Sequence, residues 1–291
     1  MSSTFQLDTG TSRANPTPQP MKRLTVPAIL QRKQDGVTAE PIVVLTAYPA
    51  RQAQLLDAHC DVLLVGDSLG QVIYGLPSTV PVTLEMMANH AAAVVRGSWH
   101  AVVVVDMPLG SYEGSPSQAF ESAASLLKAS GAAAVKLEGG EAMASTVEFL
   151  VQRGIPVMGH VGLTPQAVNV LGGYGARGKS EAEAGKILRD ARMLASAGAF
   201  AIVVEGVLEP IAEKVTLGIP CPTIGIGASA KCDGQVLVTE DMLGMFERVP
   251  RFVKRYDDLA ARIGAAVESY AGEVRDRSFP TSDQTYRPKG A

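Results

Sequence analysis

Five short apolar runs in this sequence each end at an ionisable side chain, and these five positions are its best candidates for chemistry. The side chains are Asp67, Asp106, Glu138, His160 and Glu205. A charge is costly to bury without a partner, so charges that repeatedly follow buried strands do not serve stability. Parallel α/β enzymes keep their polar sites at the carboxyl ends of the strands. The pattern therefore predicts a polar site at one end of a parallel barrel or sheet.

The chemistry that these residue types favour is metal-assisted activation of a small acid. Asp67, Asp106 and Glu138 offer hard oxygen ligands, which suit Mg²⁺. Lys136 lies two residues before Glu138 and shares its face of the strand, so it supplies one positive charge. A divalent metal would balance the rest and leave positions open for a 2-oxo acid. Such chelation stabilises an enolate and acidifies the carbon next to the carbonyl.

Each of these residues also has a structural interpretation. A carboxylate at a strand end often caps a helix, and Lys136 is equally suited to an ion pair with Glu138. His160 fits a hydrogen-bonded place in the core. Ser68, which follows Asp67, suits either a cap or a contact to substrate. The register of five ionisable positions along successive strands favours the shared site.

The elements that must position these residues alternate along the chain. The candidate strands are 42–47, 62–66, 101–105, 133–137, 155–159, 200–204, 222–226 and 235–238. The candidate helices are 50–59, 83–96, 116–130, 141–153, 181–197 and 208–217. Glycines follow four of these helices, as is typical of helix ends. Strand, helix, glycine and strand in repetition indicate an α/β fold, a (β/α)8 TIM barrel, although an open doubly wound sheet fits the pattern as well.

Length and composition fit one large domain with polar ends. The chain has 291 residues and 46% hydrophobic content, which a single α/β barrel accommodates. Residues 1–22 are rich in Ser, Thr, Pro and Gln and are predicted to be disordered. The catalytic barrel is predicted over 23–272, and residues 273–291 form a polar C-terminal tail.

Charge and cysteine content restrict the partners and the compartment. The net charge is -3 and there is no basic stripe, so nucleic acid is not an expected partner. No apolar stretch reaches transmembrane length, and no secretory signal precedes the barrel, so no membrane partner is expected. The three cysteines, Cys60, Cys221 and Cys232, form no paired motif. These features predict a cytoplasmic protein.

A glycine-rich stretch over residues 172–179 predicts a loop that is either a plain surface connection or a lid over the barrel mouth. In the second interpretation, Arg177 and Lys179 meet an anionic substrate. The run IGIGAS at 224–229 lacks the spacing of a dinucleotide fingerprint, so a dinucleotide cofactor is not expected.

Nine segments together resemble the ketopantoate hydroxymethyltransferase family of pantothenate biosynthesis. They follow the family order across about residues 22–285. They are TAY (46–48), VGDSLGQVIYG (65–75), TVPVTLEMMANHAAAVVRG (79–97), DMPLGSY (106–112), VKLEGG (135–140), PVMGHVGLTPQ (156–166), VVEGV (203–207), IPCPTIGIGAS (219–229) and CDGQVLV (232–238).

The resemblance implies a (β/α)8 barrel of the phosphoenolpyruvate/pyruvate-domain type. It implies Mg²⁺ held by Asp67, Asp106 and Glu138, and a 2-oxo acid bound with the help of Ser68 and Lys136. The implied substrates are 3-methyl-2-oxobutanoate, water and 5,10-methylenetetrahydrofolate, and the products are 2-dehydropantoate and tetrahydrofolate.

The resemblance also implies further roles. Glu205 matches the proton acceptor of the family, and His160 matches a position near the site. The family resemblance further implies a homo-oligomer, commonly a decamer.

The sequence departs from the family pattern at four positions: Pro49, Arg177, Lys179 and Ser229. These departures bear on folate contacts and loop closure rather than on the carboxylates. Two alternatives stay open at this point: a related Mg²⁺-dependent 2-oxo acid lyase or mutase, and a non-catalytic barrel.

Overall fold

The eight strands predicted from the apolar runs form one closed parallel barrel in a computed structural model, which describes residues 22–34, 37–38 and 40–286. The strands are β1 (Lys33–Gln34), β2 (Val37–Thr38), β3 (Ile42–Thr46), β4 (Val62–Val65), β5 (Val102–Asp106), β6 (Ala134–Glu138), β7 (Val157–Gly162), β8 (Ala201–Glu205), β9 (Thr223–Ile226) and β10 (Gly234–Leu237). Strands β3 to β10 pair in sequence order, and β10 closes the barrel against β3. The first two strands form a separate antiparallel pair.

Helices cover the outside of the barrel between successive strands. The α-helices are α1 (Val26–Leu30), α2 (Ala50–Leu56), α3 (Leu69–Val72), α4 (Leu84–Gly97), α5 (Pro116–Ser130), α6 (Ala144–Gln152), α7 (Val168–Leu171), α8 (Glu181–Ser196), α9 (Glu209–Gly218), α10 (Thr239–Met242) and α11 (Leu259–Arg275). The predicted (β/α)8 TIM barrel is confirmed, because the sheet closes on itself with every neighbouring pair parallel. The open-sheet alternative is thereby excluded.

The alternation of side chains along each strand separates two apolar layers. Val104, Met158 and Val203 belong to the cluster inside the barrel, whereas Leu137 belongs to the cluster between barrel and helices. Since side chains two residues apart share a face, the inner face of β5 also carries Asp106. The polar site therefore continues the inner apolar layer toward the carboxyl ends of the strands.

The strand ends differ slightly from the predicted ones. Asp106, Glu138 and Glu205 are the last residues of their strands rather than the residues that follow them. Strand β7 encloses His160 and runs on to Gly162, which pairs with Glu205. Asp67 alone lies beyond its strand, two residues after β4.

The ends of α4 and α5 have regular capping structures. The Thr83 side chain accepts a hydrogen bond from the Met86 backbone N–H at 3.2 Å and caps α4. Gly131 ends α5 in the left-handed conformation, with φ of 76°, which glycine adopts without the steric cost of a side chain.

The amino end of the barrel is closed by the segment that precedes it. Ile29 of α1 is fully buried and packs with the inner barrel residues. Lys33 follows and is also buried, and its ammonium group donates to Asp233 Oδ2 at 2.9 Å. This end is therefore sealed by protein atoms.

The structure describes only part of the two predicted tails. Of the predicted N-terminal tail, residues 1–21 lie outside the described residues. Helix α11 crosses the predicted boundary at residue 272, and none of its residues is buried. No helix among the described residues has the length and apolar content to cross a membrane.

Candidate active site

One cavity of about 1050 Å³ opens at the carboxyl end of the barrel. The structure brings all seven residues singled out from the sequence to its wall. They are Asp67, Ser68, Asp106, Lys136, Glu138, His160 and Glu205. They come from four strands and from the turn after β4, so the closure of the barrel is what assembles them.

Lys136 is the cation at the centre of the carboxylates. Its Nζ lies 2.7 Å from Asp106 Oδ1, and both side chains are buried. Burial disfavours the charged lysine, but Asp106, Asp67 and Glu138 outweigh it and raise the pKa of Lys136 above its usual value. Lys136 is therefore held as a permanent positive charge facing the cavity.

Asp67 is a buried carboxyl group beside two other carboxylates. Burial, followed by the charges of Asp106 and Glu138, raises the pKa of Asp67 to about 7. Its backbone N–H donates to Asp106 Oδ2 at 3.0 Å, which fixes the two carboxylates side by side. One lysine does not balance three neighbouring carboxylates, so this corner of the cavity favours a further cation.

His160 bridges the second pair of carboxylates. Its Nδ1 lies 3.5 Å from Glu138 Oε1, and its Nε2 lies 3.2 Å from Glu205 Oε2. Neither ring nitrogen has a well-aligned hydrogen bond, so the contacts are mainly electrostatic. Burial and Lys136 lower the pKa of His160, but Glu138 and Glu205 prevail and raise it to about 9. His160 is thus protonated at neutral pH and links Glu205 to the rest of the site.

Ser68 is oriented by a tyrosine that the sequence analysis did not single out. The Tyr48 hydroxyl lies 2.9 Å from Ser68 Oγ, and Tyr48 is fully buried. A Cβ atom at Gly66 would come within 2.9 Å of Ser68 Oγ and would force that hydroxyl to shift. Ser68 lines the cavity. Its side chain does not cap α3, so the capping interpretation of this residue is wrong.

Gln166 and Tyr112 are further polar residues of the site that sequence reasoning missed. Gln166 donates to Asp67 Oδ2 and accepts from the Tyr112 hydroxyl. Both residues lie in segments that resemble the family, but their types alone do not reveal which carboxylate they contact. The only sequence signal is an amide in the turn that follows the His160 strand.

The glycine-rich loop contributes an aromatic side chain rather than its cations. Tyr174 and Ala176 line the cavity. Arg177 instead pairs with Glu183 at 2.7 Å, and its backbone N–H donates to the Gly206 carbonyl. Lys179 is exposed and does not line the cavity. To bind an anionic substrate, Arg177 would have to leave Glu183 and pair with the substrate instead.

The other two departures from the family pattern have local structural roles. Pro49 stands at the cap position of α2, with an extended backbone that proline accommodates. Ser229 is buried at the cavity wall, and its hydroxyl accepts from the Lys231 backbone N–H at 3.1 Å.

The residues present fit Mg²⁺ by donor chemistry and charge. In the part of the chain that the structure describes, no three His, Cys, Asp or Glu side chains are grouped closely enough to hold a metal among themselves. Mg²⁺ does not need such a group, because it takes one or two carboxylates and completes its shell with water or substrate oxygens. The raised pKa of Asp67 marks the position where a cation would lower the electrostatic cost.

The fold and the position of the site define the class of protein as a (β/α)8 barrel with a polar cavity at the carboxyl ends of its strands. 2,3-Dimethylmalate lyase, a member of the phosphoenolpyruvate mutase/isocitrate lyase superfamily, superimposes with a TM-score of 0.56 at 17% identity, over 91% of this chain and 92% of the lyase. Phosphonopyruvate hydrolase in complex with oxalate and Mg²⁺ gives 0.57 at 13% identity, over 90% and 93% of the two chains. At these identities the likeness concerns the fold.

The sequence identifies the family within that class. The ketopantoate hydroxymethyltransferase family matches residues 23–282. The 3-methyl-2-oxobutanoate hydroxymethyltransferase of Novosphingobium aromaticivorans is 78% identical over 289 residues, which cover 99% of this chain and 100% of that relative. This chain belongs to the ketopantoate hydroxymethyltransferase family.

Proposed function

We propose that this enzyme transfers a hydroxymethyl group from 5,10-methylenetetrahydrofolate to 3-methyl-2-oxobutanoate. Water is the third reactant, and the products are 2-dehydropantoate and tetrahydrofolate. The observation that carries the proposal is the convergence of Lys136, three carboxylates and Glu205 on one cavity in a chain of this family. The reaction supplies an intermediate of pantothenate biosynthesis.

Binding of the 2-oxo acid is assigned to the buried half of the cavity. Asp67, Asp106 and Glu138 would supply oxygen ligands to Mg²⁺, directly or through its bound water, and the ion would polarise the 2-oxo group and make the C3 proton more acidic. The Lys136 ammonium attracts the substrate carboxylate, and the Ser68 hydroxyl, oriented by Tyr48, donates or accepts a hydrogen bond. These contacts fix the substrate with C3 toward β8.

Proton removal is assigned to Glu205 at the end of β8. Its carboxylate is less buried than those of the other site residues, with 16% of the side chain exposed, so it borders the open part of the cavity. The protonated His160 at 3.2 Å stabilises the anionic carboxylate that accepts the C3 proton. The resulting C3 nucleophile forms a C–C bond to the methylene carbon of the folate, water supplies the hydroxyl oxygen at that carbon, and tetrahydrofolate leaves as the two C–N bonds of the methylene group break.

The remaining cavity volume is assigned to the folate. A volume of about 1050 Å³ far exceeds what a five-carbon acid fills. Tyr174 and Phe252 offer aromatic surface for a planar ring, and Arg251 offers a cation for a carboxylate. Tyr174 belongs to the glycine-rich loop, and Arg251 and Phe252 belong to the segment between α10 and α11.

We propose the assembly and the location from the same family resemblance. A homodecamer is supported by α11, whose Ile263, Val267 and Tyr270 are each about half exposed in the single chain. We also propose a cytoplasmic location. Small molecules, and neither nucleic acid nor membrane, are the proposed partners.

The test is product formation with a matched pair of glutamate variants. The enzyme is incubated with Mg²⁺, 3-methyl-2-oxobutanoate and folate carrying a ¹³C-labelled methylene group, and labelled 2-dehydropantoate is followed by NMR. Glu205→Gln should lower the rate by about 10²–10⁴-fold, since it removes the general base. Glu121→Gln, on the exposed face of α5, is the control and should keep the rate. Absence of labelled product with the unaltered enzyme would refute the proposed function.

A further inference from the structure

Gln166 connects two carboxylates of the site from behind the cavity wall. It lies in the 3-10 helix Pro165–Ala167 and is 6% exposed. Its Nε2 donates to Asp67 Oδ2 at 2.9 Å, and its backbone N–H donates to Glu138 Oε2 at 3.0 Å. A single residue thus holds one oxygen atom of each of two carboxylates that come from different strands.

The orientation of the Gln166 amide is determined by Tyr112. The Glu138 backbone N–H donates to the Tyr112 hydroxyl at 3.2 Å. Because a backbone N–H can only donate, the hydroxyl accepts there and gives its own proton to Gln166 Oε1, at 2.7 Å. The amide nitrogen must then face Asp67.

The hydrogen-bonding capacity of the Gln166 amide is filled by this arrangement. Nε2 has two hydrogens, and its second acceptor is the Met107 carbonyl at 2.9 Å. An amide flipped by 180° would place oxygen against the Asp67 carboxylate and the Met107 carbonyl, both of which only accept. The network therefore has one satisfied state, which is the condition for holding a ligand rigidly.

The neutrality of the amide matters as much as its direction. A lysine or arginine at this position would satisfy Asp67 with a positive charge and would then repel a divalent cation. The Gln166 amide orients the same oxygen without adding charge. It leaves the negative charge of Asp67 and Glu138 available to the cavity and adds no further cation to Lys136 and His160.

We propose that Gln166 is a positioning residue that orients Asp67 and Glu138 for Mg²⁺ and the 2-oxo acid, with Tyr112 fixing the direction of its amide. This inference rests on the proposed function, because it assigns a purpose to the carboxylates that the proposed reaction uses. Residues that orient metal ligands in this way typically contribute about 10–100-fold to metal affinity.

The test measures metal affinity directly, with Mn²⁺ as the spectroscopic probe for Mg²⁺. The dissociation constant is obtained by electron paramagnetic resonance on the full chain, and competition by Mg²⁺ shows that both ions share the site. Gln166→Met keeps the size of the side chain and removes both hydrogen-bonding ends. It should weaken Mn²⁺ binding by about 10–100-fold. Gln54→Leu, on the exposed face of α2, is the control and should bind as the unaltered enzyme does.

Tyr112→Phe tests the same inference with a smaller change. It retains Gln166 and its bond to Asp67 but removes the hydroxyl that donates to the amide and accepts from the Glu138 backbone N–H, so Mn²⁺ binding should weaken less than in Gln166→Met. This variant decides the question if Gln166→Met does not fold, as judged by circular dichroism. Unchanged Mn²⁺ affinity in the folded variants would overturn the role of Gln166.

Failure of the inference and failure of the proposed function give different results. If the unaltered enzyme binds Mn²⁺ and forms product while the variants bind equally well, only the role of Gln166 is refuted. If the unaltered enzyme binds no Mn²⁺ at all, the metal assignment is refuted and the role of Gln166 with it.

Discussion

The two ends of the barrel each contain a buried lysine–aspartate pair, and the surroundings of the two pairs differ. At the amino end, Lys33 donates to Asp233 and to the backbone carbonyls of Thr216 and Cys221. The same Asp233 oxygen accepts from both the backbone N–H and the hydroxyl of Thr223. At the carboxyl end, Lys136 has one carboxylate partner among the described residues, Asp106, and faces a cavity.

The difference separates a structural pair from a binding pair. An ammonium group has three hydrogens to donate, and those of Lys33 are directed at fixed protein acceptors. Lys136 keeps donor capacity that only a molecule in the cavity can use. Burial and pairing are common to both lysines, so the saturation of the partners, rather than burial, distinguishes the active site.

The largest expected effect is a loss of catalysis when the Lys136–Asp106 pair is disrupted. Lys136→Met removes the buried cation that pairs with Asp106, so kcat/KM should fall by about 10²–10⁴-fold, as expected for loss of one partner from a buried charge pair. The measurement is steady-state kinetics on protein shown to be folded. Lys128→Met, exposed on α5, is the control. Near-normal kinetics in folded Lys136→Met would show that the Lys136–Asp106 pair, like the Lys33–Asp233 pair, has no role in catalysis.

At the amino end of the barrel, loss of the lysine should lower stability rather than catalysis. Lys33→Met takes a positive charge away from a buried carboxylate and a donor away from two carbonyls, so the free energy of unfolding should decrease by about 3–5 kcal/mol. The kcat/KM of the folded fraction should stay within about twofold of normal, because the site is at the other end of the barrel. Chemical denaturation monitored by circular dichroism gives the first quantity. A stable but inactive Lys33→Met protein would contradict the structural role.

A smaller and graded effect is expected from pH at the mouth. The pKa of Asp67 is about 7, so the carboxyl group is mostly protonated below that pH and must lose its proton to bind a metal. Mn²⁺ affinity should therefore rise by about tenfold per pH unit up to pH 7 and level off above it. Titrations between pH 5.5 and 8.5 check this. A flat profile in the unaltered enzyme would show that Asp67 does not take part.

The comparison also explains what the sequence could reveal. Lys136 was identified because strand periodicity places it beside Glu138, two residues away. Lys33 was not, because its partner Asp233 is 200 positions away and the contact depends on barrel closure. Long-range contacts of this kind leave no local pattern.

The sequence also did not reveal the residues that hydrogen-bond to the carboxylates of the site. Gln166 and Tyr112 lie in loop segments, and nothing in their residue types marks them as part of the site. Their roles depend on the direction of individual hydrogen bonds, which the sequence does not show. Helix α11 was missed for another reason. Its apolar residues, such as Ile263 and Val267, recur at helical spacing but find no core within the chain. By contrast, all eight barrel strands were predicted within a few residues, because continuous apolar runs mark buried parallel strands.

The central claim is that Glu205, at the carboxyl end of the barrel, removes the C3 proton of 3-methyl-2-oxobutanoate. The most direct measurement is exchange of that proton in deuterated water, followed by NMR, with and without Mg²⁺. Tetrahydrofolate lacking the one-carbon unit is included, so that the folate site is filled while transfer is blocked. We predict Mg²⁺-dependent exchange that Glu205→Gln abolishes and Glu121→Gln retains. Absence of exchange in the unaltered enzyme, or equal exchange in Glu205→Gln, would contradict the account.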